Sequence, residues 1–203
     1  MLTCFSSTII ENINEFCIIN PGHAVAYYYF SFNDSEKQSA VNFISSMVAQ
    51  LCSQVADLPE ELKGLYSRCD DGKRKAAMPD LKVSLKLFAM MKKLRNIFMV
   101  IDALDECPKD GDREEILGLI AEMKTWSPSN LHLLITSRQE TDIGEKLVTL
   151  LTTPAISIQG SQVASDIELY VNDQIATVTK WKKLKEGLRV EIKEALVKGA
   201  NGM

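Results

Sequence analysis

Three acids, Asp102, Asp105 and Glu106, follow directly on five consecutive apolar residues, Ile97, Phe98, Met99, Val100 and Ile101. The run is β-branched and aromatic and too short for an ordinary helix, so it predicts a strand buried on both faces. A carboxylate where such a strand runs out stands at the carboxyl end of a sheet, where open α/β sheets bind ligands. Three acids there suit a divalent cation or the ordering of a water. A second short apolar run, residues 131–136, predicts another strand and also ends in polar groups, Thr136, Ser137 and Arg138. The two histidines have no third ligand near them in sequence, and Trp126 and Trp181 read as packing residues.

Residues that must be carried to one edge need alternating strands and helices, and the chain supplies that alternation. Residues 6–17 carry Ile9, Ile10, Ile13, Phe16 and Cys17 at helical spacing, and Asn20, Pro21 and Gly22 break them. Residues 24–32 hold three tyrosines and two phenylalanines and predict a strand. Ser35 with Gln38 resembles a capping box ahead of a helix faced by Val41, Ile44, Val48, Leu51 and Val55. Helices are predicted from Pro59 to Cys69 and from Pro79, the second facing inward through Leu81, Leu85 and Phe88. Asp112 and Glu115 read as the cap of a helix faced by Ile116, Ile120 and Met123. A helix over residues 142–151, a strand over 155–158, and helices over 165–179 and 181–198 complete the pattern. The expected class is α/β with a parallel sheet flanked by helices, residues 1–160 forming the sheet unit and 161–203 beginning a helical one.

Composition narrows the function. With 203 residues, a quarter of them charged, and a net charge of −4, the chain is globular and carries no broad basic field for nucleic acid. Five scattered cysteines without paired spacing predict neither a disulfide framework nor a zinc site, but reduced thiols in the cytoplasm. No apolar run is long enough to span a membrane, and the amino terminus does not read as a signal peptide.

Val100-Ile-Asp-Ala-Leu-Asp-Glu-Cys107, followed by Leu133-Leu-Ile-Thr-Ser-Arg138, resembles the NACHT domain of signal-transducing P-loop NTPases, most of all the nephrocystin-like modules of fungal NOD-like receptors. The likeness covers the whole chain. It implies that Asp102 is the Walker B acid holding Mg²⁺, that Asp105 and Glu106 order the hydrolytic water, and that Arg138 senses the γ-phosphate of ATP or GTP. It also implies a nucleotide-controlled oligomerisation switch in self/non-self signalling, whose partners are other NACHT modules.

One part of that pattern is not among these residues. Relatives carry a first strand and a glycine-rich loop ending Gly-Lys-Thr or Gly-Lys-Ser, which cradles phosphates; here Thr3 falls at its hydroxyl and Met1-Leu2 at its Gly-Lys. Losing three charge-assisted bonds of about 1.5–3 kcal/mol each would weaken nucleotide by roughly three orders of magnitude or more. The expectation is a NACHT fragment truncated before the loop, a poor nucleotide binder and an inactive NTPase as it stands. The alternative is a degenerate, non-enzymatic NACHT module kept as a protein-interaction domain. A metal-dependent nuclease built on Asp102, Asp105 and Glu106 is the third reading.

Overall fold

The structure is a computed structural model describing residues 2–109, 111–126, 130–150, 155–156, 161–178, 181 and 184–200, with backbone alone at 2–5, 161–164, 166 and 198–200. It divides into two units, Met1–Thr152 and Thr153–Met203. In order, the first contains α1 (Leu2–Ile19), β1 (His23–Tyr29), α2 (Ala40–Cys52), α3 (Glu60–Arg68), α4 (Met78–Met90), β2 (Asn96–Asp102), α5 (Asp112–Thr125), β3 (Leu131–Ile135) and α6 (Thr141–Val148). Short 3₁₀ turns occupy Ser35–Gln38 and Leu104–Glu106. The second contains α7 (Ser161–Thr177) and α8 (Glu186–Ala200), which pack on one another.

The three strands form one parallel sheet in the order β1-β2-β3, with Tyr29 opposite Asp102 and Ile101 opposite Ile135. The central strand is therefore the one that ends in Asp102. Alternation along the strands sends Ala24, Ala26, Ile97, Met99 and Ile101 to one face, where they join the main core with Phe43, Ile44, Met47 and Leu51 of α2 and Leu85 and Phe88 of α4. Alanines at 24 and 26 leave room for α2 to approach the sheet closely. Val100 and Asp102 face the other way, towards α1, whose Ser6 and Ile10 are buried. Each fully buried Phe, Ile, Leu or Met in this core contributes about 1.5–3 kcal/mol.

The outer edge of β1 is closed by side chains. Gln54 of the turn after α2 accepts from the Val25 amide at 2.9 Å and donates to its carbonyl at 2.7 Å, and Gln50 treats Tyr27 likewise at 3.0 and 2.8 Å. Two amides thus take the place of a neighbouring strand, a device that blunts an edge otherwise open to pairing. Among the described residues β3 is the opposite edge.

Several local expectations are revised. Ser35–Gln38 is its own 3₁₀ turn capped by Asp34, and α2 starts afterwards with Ser39 as the cap, so the buried stripe is Ala40, Phe43, Ile44, Met47, Val48 and Leu51. Val41 is only half-buried and Val55 lies beyond the helix. The cap of α5 is Gly111, whose φ of 82° suits glycine, and it makes no side-chain cap bond. Asp112 instead accepts from the Ala40 amide at 2.7 Å and so caps α2 across the fold. Of the strand expected at 155–158, Ala155 and Ile156 are exposed without regular structure, and the other two residues lie outside the described ones.

Candidate functional site

Asp102 closes β2 and is 1% exposed. Its Oδ1 accepts from the Ser6 hydroxyl of α1 and from Thr136 Oγ1, the latter at 2.6 Å. Thr136 also binds the turn that follows: its hydroxyl accepts from the Ala103 amide at 3.0 Å and its carbonyl from the Leu104 amide at 3.0 Å. Those bonds hold Ala103 in the left-handed region, at φ 54° and ψ 47°, a conformation that costs an L-residue roughly 1–2 kcal/mol. The chain thereby swings off the strand into the 3₁₀ turn, carrying the other two acids away from Asp102.

Each of those acids has its own partner. Asp105, with its side chain 8% exposed, accepts from the Arg138 amide through Oδ1 at 2.9 Å and pairs with Arg138 Nε through Oδ2 at 3.6 Å. The Arg138 side chain is 61% exposed, so this ion pair contributes little to stability. Glu106 accepts from the Phe32 amide at 3.1 Å, tying the turn to the chain leaving β1. The three acids do not converge as one ligand group, and no cluster of three acidic, histidine or cysteine side chains among the described residues could hold an ion.

A shallow depression of about 420 Å³ lies beside the turn, lined by Phe32, Gln38, Asp105, Glu106, Arg113 and Arg138, but not by Asp102. A larger one, about 690 Å³, runs along α6 and touches none of the candidate acids. The smaller is the one with the chemistry. As a protein-only cage these residues do not fit Mg²⁺. A single carboxyl beside two hydroxyls is a donor set of the kind that meets a hydrated Mg²⁺ drawing its other ligands from water and phosphate, and with Asp102 1% exposed that contact requires the strand end to be uncovered.

Thr3 lies in the first turn of α1, and its side chain is outside the described residues. The hydroxyl that reaches Asp102 is Ser6, three residues on and so on the same side of the helix. Sequence reasoning missed Ser6, and it also missed Arg113, which is buried against the turn. The spacing from Thr3 could have pointed to Ser6. Nothing in the local pattern around Arg113 distinguishes it from a surface charge.

A parallel sheet between helices, with its carboxyl edge carrying Asp102, Asp105 and Arg138, defines an α/β fold of the P-loop NTPase kind. Residues 3–138 match the family described as Nephrocystin 3, N-terminal, and the chain belongs to that family. It is also 24% identical over 196 residues to the vegetative incompatibility protein HET-E-1 of Podospora anserina, an alignment covering 94% of this chain and 14% of that protein. The chain thus spans about a seventh of the length of the relative it matches, and together the two findings support the NACHT-type resemblance. No solved structure matches significantly. No helix among the described residues is long and apolar enough to cross a membrane.

Proposed function

We infer that this chain is part of a NACHT-type signalling NTPase in which nucleotide state controls assembly with other NACHT modules. The observation that carries the reading is the carboxyl edge of the sheet, where Asp102 ends the central strand and Asp105 faces Arg138. In this reading Asp102 holds the hydrated Mg²⁺ of ATP or GTP, and the ion, when bound, neutralises phosphate charge. Asp105 or Glu106 orders the attacking water, and Arg138 leaves Asp105 to meet the γ-phosphate. Arg138 is free to do so because its present ion pair is exposed and long. Hydrolysis then resets a conformational equilibrium and does not serve metabolic turnover.

A second reading has its own support. One Asp102 oxygen is already taken by two hydroxyls, as expected of a module kept for protein interaction alone. The two readings part in a chain with a glycine-rich phosphate loop joined ahead of residue 1. There, Asp105→Asn or Glu106→Gln should keep nucleotide affinity but slow single-turnover hydrolysis about a hundredfold, the scale of one acid–base contribution, and raise the oligomer fraction in ATP. Arg138→Ala should narrow the preference for tri- over diphosphate. Unchanged hydrolysis and oligomer size in all three variants would leave the interaction module standing and remove the switch.

A further inference from the structure

Arg113 is the second residue of α5, and its side chain is 4% exposed. All three of its nitrogens that have partners are turned on the candidate site and its support. Nε donates to the Cys107 carbonyl at 2.8 Å, Nη2 to the Asp105 carbonyl, and Nη1 to Asp142 Oδ2 on α6 at 3.1 Å. The two carbonyls flank Glu106, so the guanidinium grips the acid-bearing turn at both ends. The side chain of Asp105 in turn accepts the Arg138 amide.

The pair with Asp142 is also specific. Burial pushes the Asp142 carboxyl up, but the Arg113 hydrogen bond and charge outweigh it and hold the group below the usual carboxylate range. Its other oxygen, Oδ1, is buried with no hydrogen-bond partner among the described residues, where Arg113 is the side chain bonded to this carboxylate. A fork of planar donors meeting two carbonyls and a carboxylate is a task for arginine that lysine cannot perform.

We propose that Arg113 is the positioning residue of the acid turn: it fixes the Asp105 and Cys107 carbonyls so that the Asp105 carboxylate faces Arg138, and its ion pair with Asp142 makes that placement answer to α6. This rests on the reading of Asp105 and Arg138 as site residues, but its geometry exists without nucleotide. A movement of α6 would reach the site through one side chain. Neither Asp102 nor the strands would have to move.

Amide exchange followed by NMR on the 203-residue chain tests this. In Arg113→Lys, which keeps the charge and loses the fork, exchange at the Arg138 amide should rise about tenfold, the value of one charge-assisted hydrogen bond. The Thr136 amide, bonded to the Ile101 carbonyl within the sheet, reports the fold and should not change. Asp142→Asn, at a partly exposed position, should raise Arg138 exchange about threefold and serves where the Arg113 variant fails to fold. Unaltered Arg138 exchange with an intact Thr136 signal, in either variant, overturns the proposal. Adding Mg-ATP to the chain extended by a glycine-rich phosphate loop addresses the nucleotide reading separately: resonances around Arg138 that ignore it there count against that reading and leave the positioning role as it is.

Discussion

Asp102→Ala is expected to lower the stability of the sheet unit by about 3 kcal/mol, or roughly 6–12 °C in unfolding midpoint for a unit of this size. The reason is local. Ser6 is fully buried and Thr136 nearly so, and both hydroxyls converge on one Asp102 oxygen. Removing that acceptor leaves two buried donors, each costing about 1–3 kcal/mol when unsatisfied. Asp102→Asn keeps an oxygen for both and should cost only about 1 kcal/mol. Thermal unfolding of the two variants side by side decides the matter. If alanine were no worse than asparagine, the convergence of hydroxyls would contribute nothing to the fold, and the case for a built site at the strand end would weaken with it.

Raising the pH should progressively destabilise the protein from pH 9 upward. Cys107 is fully buried, its thiol donates to the Gln38 carbonyl at 3.2 Å, and its pKa is pushed from 9.0 up to about 11, by burial first and then by Asp112, with Arg113 opposing. Because the folded state holds this proton more tightly than the unfolded chain, its contribution is fully present below pH 9 and is lost as pH rises through 11. The loss is on the order of 2 kcal/mol. Tyr28, pushed up to about 12 by burial and then by Asp34, extends the same slope beyond pH 10. Urea midpoints at pH 8, 10 and 11 should fall in the parent, and most of the fall up to pH 11 should vanish in Cys107→Ala. A parent curve that stays flat would contradict the burial argument.

The strands were legible because their chemistry is written locally. β2 and β3 are short apolar runs with polar ends, and the structure makes them neighbours in register with Asp105 against Arg138. Long-range partners were not. Asp112 and Glu115 form a plausible local cap, yet Asp112 caps α2, far back in the chain, because packing brings the two helix starts together. Thr136 reads in the sequence only as a polar group at a strand end, yet it binds both Asp102 and the turn that follows Asp102. Arg113 in the first turn of a helix carries a charge where solvent is the ordinary expectation, and only the packing of α5, α6 and the acid turn buries it. Each of these is a side chain bonding across the fold, and no periodicity records such a bond.

The central claim is that the carboxyl edge of this sheet is a nucleotide site, and calorimetric titration with Mg-ATP tests it most directly. The 203 residues alone should bind no more tightly than about millimolar, since they contain no phosphate-loop lysine and amides, and joining that loop ahead of residue 1 should tighten binding about a thousandfold. In the extended chain, Asp102→Asn should give back at least about tenfold of the gain, through weaker hold on the hydrated ion. Low-micromolar binding by the chain alone, or an extended chain indifferent to Asp102, would contradict the account.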